Sequence, residues 1–230
     1  MNIFYFPDLV DNQVTLDETE SQHAVKVLRL VAGDSIILFD GKGGKYEGEI
    51  EQPHHKKCVV NITKKEIISK RPFNLHIAIA PTKMNDRMEW FLEKATEIGI
   101  DEITPIICDR SERRTTNHER FEKVLIAAMK QSMNPWLPVL NQQIDFNKFI
   151  DSNEQGFVAH CMDSDKEPLK NLLPAKDAIT ILIGPEGDFT EDEVATAILK
   201  GWEPVSLGDN RLRTETAGLV ACHTVNLIKS

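Results

Sequence analysis

The 230-residue chain carries 27 Lys and Arg against 36 Asp and Glu, a net charge of −9, and 41% of its residues are hydrophobic. That fraction is ample for a packed core, no run approaches the roughly 18 uninterrupted apolar residues of a membrane span, and a soluble chain of one large or two modest domains is expected. The acidic balance argues against indiscriminate nucleic-acid binding, which needs clustered cations. The start, MNIFYFPDLVDNQ, has neither a basic lead nor a long apolar core, so no secretory signal is expected. Cys58, Cys108, Cys161 and Cys222 lie far apart with no C-x-x-C, which disfavours a disulfide framework and a zinc site. They read as small hydrophobes in a reducing, cytoplasmic compartment. The histidines are scattered apart from His54-His55, and no metal is expected.

In chain order, a helical piece, ESQHAVKVLRL (20–30), ends at AGD (32–34). Three β-prone runs follow, SIILF (35–39), KYEGEI (45–50) and KCVVNIT (57–63), with DGKGG (40–44) as the hairpin signal between the first two. Together they predict a small β-barrel-like unit over 1–70. KKEIISKRPFN (64–74) is charged, contains Pro72 and reads as the linker. From residue 73 to 230 strands and helices alternate. LHIAIA (75–80), ITPII (103–107), GFVAH (156–160), ITILI (179–183) and EPVSL (203–207) are the strands. One helix carries Met84, Met88, Phe91, Leu92, Ala95 and Ile98 on a stripe and stops at Gly99. A second, over 117–132, turns Phe121, Val124, Leu125, Ala128 and Met129 inward. Continuous apolar strands alternating with helices imply a parallel sheet covered on both faces.

In such sheets ligands bind beyond the carboxyl ends of strands. The strand at 179–183 ends in Gly184-Pro185-Glu186-Gly187. Thr190 and Glu193 then form a capping box, and Phe189 with Val194 a hydrophobic staple. The helix start accounts for Thr190 and Glu193 fully. The two glycines around a proline fix a tight bend whose backbone can approach a ligand, though alone they read equally as an ordinary turn with a solvent-facing Glu. A second strand ends at Gly208. Asn210, Arg211, Arg213 and Glu215 then lie at the junction with a helix from about Thr214, whose expected buried stripe is Ala217, Val220, Ala221, Val225 and Ile228. Charges at that edge favour a site over a plain surface loop. Nucleotide-binding fingerprints and a G-x-S-x-G elbow do not occur. Two basic islands, Lys64, Lys65, Lys70 and Arg71, and Arg110, Arg113 and Arg114, permit a selective RNA or anion partner, and either alone reads equally as solvated surface charge.

The two loops in this order resemble the SPOUT methyltransferases, specifically the family that methylates uracil N3 in 16S ribosomal RNA (the RsmE family). Gly184-Pro185-Glu186-Gly187 matches its first motif. Ser206, Leu207, Gly208, Leu212, Arg213, Glu215, Thr216 and Ala217 match the second. His23 with Val27-Leu28-Arg29, Lys83, EKATEIG (93–99) and Gln131-Ser132 extend the match over essentially the whole chain. The chain departs from the pattern at three places. Asp188 replaces the usual second glycine and stiffens the exit of the first loop. Met133-Asn134 stands where members often carry an arginine. Asn210 aligns with the family's first arginine, while Arg211 takes a usually apolar position.

The resemblance implies an N-terminal PUA-like RNA-binding barrel and a C-terminal α/β domain with a trefoil knot. It also implies a homodimer with active sites at the subunit interface. S-adenosylmethionine would be held by His160, by Ile183, Gly184, Pro185, Glu186 and Gly187, and by Leu207, Gly208, Asn210, Leu212 and Thr216. The implied partner is 16S rRNA of the small ribosomal subunit. Arg213 is expected to stabilise negative charge developing on the uracil, with Glu215 orienting it and Glu186 as the base. Expected RNA contacts are Arg29, Lys64, Lys65, Lys83, Arg110, Arg113, Arg114 and Arg211, mostly to phosphate. Two alternatives stay open, a same-fold enzyme acting on tRNA ribose and a non-catalytic RNA-binding assembly factor.

Overall fold

The computed structural model describes residues 2–9, 11–153, 155–173 and 178–229. The chain divides into two compact units. One comprises Met1–Lys70 with Ile126–Leu137, the other Arg71–Leu125 with Pro138–Ser230. Among the described residues no helix is long and apolar enough to cross a membrane.

The first unit is an open, curled five-stranded sheet of β1 (Ile3–Tyr5), β2 (Gln13–Thr15), β3 (Ser35–Phe39), β4 (Gly44–Gln52) and β5 (Val59–Ile67), in the order β1-β3-β4-β5-β2. Phe4, Val14, Leu16, Ile36, Leu38, Ile50 and Val60 meet in one core inside the curl, so residues two apart along each strand share the concave face. The β3–β4 turn is held by Asp40, whose carboxylate accepts from the amides of Lys42 (2.7 Å) and Gly44 (2.8 Å). Gly41 and Gly43 there have φ of +77° and +95°, a backbone that only glycine adopts without strain. Helix α1 (Glu18–Gln22), capped by Asp17, runs into a π-helical turn at His23–Val27. The expected helix therefore ends earlier than residue 30, and Arg29 follows with φ +56°.

The linker expected at 64–74 is shorter, because Lys64–Glu66 continue β5 against β4. Lys64 pairs with Glu47 at 2.9 Å and Lys45 with Glu66 at 3.4 Å across the ladder, and a charged strand is stable where its side chains face water. Of the basic island there, Lys64, Lys70 and Arg71 have partners within the fold, and Lys65 is exposed. Lys70 lies over the Trp136 ring, and Arg71 bonds Asp101, Asn226 and the Gly99 carbonyl.

The second unit is a parallel sheet of β6 (Asn74–Ile79), β7 (Glu102–Ile107), β8 (Val139–Leu140), β9 (Ile144–Asp145), β10 (Phe157–Ala159), β11 (Glu167–Pro168), β12 (Ala178–Ile183) and β13 (Glu203–Ser206). The order is β11-β13-β10-β12-β6-β7-β8, with β9 also on β7. Its helices are α2 (Asn85–Ile98), α3 (His118–Ser132, whose end belongs to the first unit), α4 (Phe146–Ser152), α5 (Leu169–Leu172), α6 (Glu191–Leu199) and α7 (Thr214–Lys229). Alternate strand residues serve the two faces. Ala78, Ala80, Val158 and Leu182 pack with Phe149 of α4 and Val194 and Ala197 of α6. On the other face α7 lies so close that a Cβ on Gly218 would meet Phe91 at 2.7 Å and Ile79 at 3.0 Å. Small residues thus set this approach, but the buried stripe of α7 is Gly218, Ala221, Cys222 and Val225, while Ile228 is 49% exposed. Met84 likewise lies outside the core, because the chain enters α2 there in an extended conformation.

Candidate active site

Three neighbouring parallel strands, β13, β10 and β12, end at one edge: Ala159 lies opposite Ile183 on one side and Val205 on the other. The loops leaving these strands therefore emerge side by side, where an open α/β sheet binds ligands. The loop after β13 (206–212), with His160 and Lys166, lines a cavity of about 370 Å³. The loop after β12, through Ile183, Gly184, Pro185, Glu186 and Asp188, lines an adjoining one of about 260 Å³. Ala159, Cys161, Arg211, Leu212 and Ala217 belong to both, so the two form one continuous hollow.

The backbone of the hollow is fixed by identifiable bonds. Thr214, at the start of α7, donates its hydroxyl to the Gly184 carbonyl at 3.0 Å and joins the two motif loops. Asp188, at φ +64°, accepts from the Cys161 amide at 2.8 Å and the Phe189 amide at 2.9 Å, tying the β12 loop to the β10 loop. The capping box of Thr190 and Glu193 is formed in both directions. Glu193 also takes the Asp109 amide, anchoring the segment that carries the second basic island.

Those arginines face inward onto backbone. Arg110 donates to the carbonyls of Gly187 (3.1 Å) and Phe189 (3.2 Å), and Arg113 to those of Thr82 (3.1 Å) and Lys83 (2.9 Å). Arg114 reaches the Asp109 carbonyl at 3.0 Å. Lys83 pairs its ammonium with Glu112 at 2.7 Å, and its amide donates to Glu186 at 2.8 Å. Arg110 and the Lys83 amide thus brace the Gly184–Gly187 bend from outside, and Arg113 holds the Thr82–Lys83 backbone that presents that amide, roles that charge clustering alone does not reveal. Of the other cations singled out, Arg211 lines the hollow, Lys64 pairs with Glu47, and Arg29 and Lys65 are exposed on the first unit.

Among the cofactor residues expected from the sequence, His160, Leu207, Gly208, Asn210 and Leu212 line the larger cavity. Ile183, Gly184, Pro185 and Glu186 line the smaller. Gly187 lines neither, its carbonyl being taken by Arg110, and Thr216 lies on a third, more open cavity of about 530 Å³. Arg213 borders both the second and third cavities. Glu215 is 6% exposed and does not orient Arg213: its nearest cation is Arg87, at 3.9 Å. Trp90, Arg87 and Asp86 complete the third cavity. Cys161 is exposed in the hollow, unlike the three buried cysteines. Burial and the Lys166 ammonium push the His160 imidazole below its usual range, with Asp188 opposing, and neither ring nitrogen has a hydrogen-bond partner. Among the described residues no group of His, Cys, Asp and Glu is placed to hold a metal ion.

Comparison with known proteins decides the family. Residues 69–226 match the RNA methyltransferase domain and residues 16–63 the RNA methyltransferase PUA domain. The ribosomal RNA small subunit methyltransferase E of Rickettsia conorii is 32% identical over 96% of this chain and 92% of its own. The chain belongs to this RNA methyltransferase family. A crystal structure from Porphyromonas gingivalis, described as a probable rRNA-methyltransferase, is 39% identical and superposes with a TM-score of 0.91 over 100% of this chain and 98% of that one. The Neisseria gonorrhoeae ribosomal RNA small subunit methyltransferase E, a structure bound to S-adenosyl methionine, is 28% identical with a TM-score of 0.90, covering 99% and 98%. The SPOUT resemblance read from the two motif loops and the N-terminal PUA-like unit agree with these matches over both parts of the chain.

Proposed function

We propose that this protein is an S-adenosylmethionine-dependent methyltransferase that modifies N3 of a uracil in 16S rRNA of the small ribosomal subunit. The observation that carries the reading is the continuous hollow at the ends of β10, β12 and β13, with Arg213 on the wall between it and the third cavity. The hollow suits the cofactor. Its size is that of small-molecule sites, which run from about 300 to 1,000 Å³. At Gly208, φ +130°, an added Cβ meets nothing within 4 Å, so bare backbone faces the cavity and leaves room for a flat purine. Glu186 Oε2 is buried without a partner beside it, a complement for positive charge.

When bound, the cofactor supplies an electrophilic methyl group on a cationic sulfur. Peptide groups of Gly208, Leu207 and Leu212 and of Gly184, Pro185 and Glu186 would hold its adenosine. Glu186, fixed by the Lys83 amide, would face the charged end. Arg213 stabilises the charge that develops on the uracil oxygens as N3 loses its proton, a preorganised electrostatic role. The PUA-like unit, with Arg29, Lys64 and Lys65 exposed on it, contributes phosphate contacts. The same reading carries the knotted threading of the three loops, a homodimer and a cytoplasmic location.

Primer extension on small-subunit rRNA from cells lacking the protein tests the activity. Methylation at N3 blocks the pairing edge and stops reverse transcriptase, so a stop present in wild type must vanish in the deletion strain. A persistent stop rejects the assignment. Isothermal calorimetry with S-adenosylmethionine separates an enzyme from a non-catalytic assembly factor.

A further inference from the structure

We propose that the third cavity, bounded by Asp86, Arg87, Trp90, Arg213, Glu215 and Thr216, is the seat of the flipped-out target uracil. In it Trp90 is the stacking face, Glu215 the acceptor of the N3 proton, and Arg87 a donor to a uracil oxygen. This rests on the methyltransferase reading above and adds the residues that select the base.

Three observations converge. Glu215 is 6% exposed, yet its Oε2 has no hydrogen-bond partner, and Oε1 has only the loose Arg87 contact at 3.9 Å. A buried carboxylate oxygen left unpaired costs free energy in the unliganded protein and signals a partner still to come. Trp90 is 42% exposed on the outward side of α2, whereas Trp202, the other tryptophan of this unit, is 1% exposed. Helix packing does not require an aromatic ring there. Arg213 borders both this cavity and the hollow assigned to the cofactor, so a base seated here lies next to the methyl donor.

The chemistry of the wall matches one base. The pairing edge of uracil presents acceptor, donor, acceptor: O4, N3–H and O2. The cavity wall offers one carboxylate acceptor, Glu215, and two guanidinium donors, Arg87 and Arg213. Cytosine presents a lone pair at N3, which a carboxylate repels, so the same arrangement rejects it. A base inside a helical stack cannot offer N3 to an enzyme, hence extrusion onto an aromatic face. In the reaction the N3–H bond breaks and its proton passes to Glu215 Oε2. The electron pair left on N3 forms the new bond to the methyl carbon. With S-adenosylmethionine bound, its sulfonium would supply that methyl group and keep the electron pair of the broken methyl–sulfur bond, and Glu215 then returns the proton to water.

The test uses the full-length protein and small subunits purified from the deletion strain. Trp90→Ala should raise KM and the equilibrium dissociation constant for subunits about tenfold or more, the scale of one lost stacking contact. Its calorimetric affinity for S-adenosylmethionine should stay within about twofold, and Trp90→Phe should recover most of the loss. Glu215→Gln, nearly isosteric, should lower kcat by roughly a hundredfold or more, as loss of a general base does. It should also bind more tightly than wild type to subunits carrying cytosine at the target site, because an amide can donate to cytosine N3. Wild-type affinity for subunits in Trp90→Ala, or full kcat in Glu215→Gln, overturns the seat. So does a shift of Trp90→Ala from dimer to monomer on sizing, which would place Trp90 between copies of the chain. If wild type methylates no uracil N3, the activity reading falls with it. If wild type does so and both variants match it, only the seat falls.

Discussion

Arg110 and Arg113 separate two physical roles that their sequence leaves equal, phosphate contact and loop bracing. Each donates to two backbone carbonyls, Arg110 to those of Gly187 and Phe189, Arg113 to those of Thr82 and Lys83. Bonds from a charged donor are worth about 1.5–3 kcal/mol each when buried, and these groups are partly exposed, so we take about 1.5 kcal/mol per arginine. If that energy holds the Gly184–Gly187 bend in its binding form, Arg110→Ala and Arg113→Ala should each weaken S-adenosylmethionine about tenfold by calorimetry. The slope of log K for RNA against log salt should not change. A phosphate contact predicts the reverse, with cofactor affinity intact and a slope shallower by about 0.7–0.9 per arginine. That second pattern would refute the bracing argument.

Three further outcomes follow from local geometry. Asp188→Ala keeps a left-handed backbone and loses the bonds to the Cys161 and Phe189 amides, so thermal unfolding should show about 2–4 kcal/mol of destabilisation. Asp188→Gly should recover about 1 kcal/mol by relieving φ +64°, and equal stability of the two would contradict this. Gly218→Ala gains about 1 kcal/mol of helix propensity but drives a methyl against Phe91, which is 0% exposed and has no room to retreat. A net fall of several degrees in Tm is expected, and a rise would refute the packing account. Burial pushes the His76 imidazole below its ordinary range of about 6.5, with Glu102 opposing. The unfolded chain then binds the extra proton, so stability is present above about pH 6.5 and is lost as pH falls through the folded value. The slope for one proton is at most about 1.4 kcal/mol per pH unit. His76→Gln should flatten that acid limb in urea titrations, and an unchanged limb assigns it elsewhere.

What the sequence made legible was what local spacing encodes. Thr190 and Glu193 predict the start of α6 because a capping box lies within four residues. Gly99 stops α2 because only the left-handed region closes the helix there, φ +111°. The two motif loops were legible as strand ends and became a site once three adjacent parallel strands carried them to one edge. Long-range pairings were not legible. Nothing in the chain between them marks Arg87 as the neighbour of Glu215, or Arg71 as the partner of Asp101. The charged run 64–67 looked like a linker because its stabilising partners, Glu47 and Lys45, lie on another strand. Trp90 carried a usable signal: a tryptophan on the polar side of an amphipathic helix has no core to serve.

Arg211 and Arg213, two residues apart, differ in how firmly the fold holds them. The Arg213 carbonyl accepts the Ala217 amide at 2.7 Å as α7 begins, and its neighbour Thr214 is bonded to Gly184. Its guanidinium thus leaves a backbone anchored at its own carbonyl and at the next residue, and borders the two cavities that would hold donor and acceptor. Arg211, exposed as Arg213 is, sits on the preceding loop with no such backbone bond among the described residues and borders only the hollow assigned to the cofactor. Stabilisation of a charge that appears only in the transition state requires a donor already in place, because reorganisation would consume the gain. Arg213→Ala should therefore lower kcat by about 100- to 1,000-fold, the scale of a lost oxyanion donor, while the cofactor Kd moves by less than about threefold. Arg211→Ala should do the opposite, weakening the cofactor with kcat nearly unchanged at saturation. Calorimetry and single-turnover rates on the two variants decide it. If both lose kcat alike, anchoring of the backbone is not what separates them.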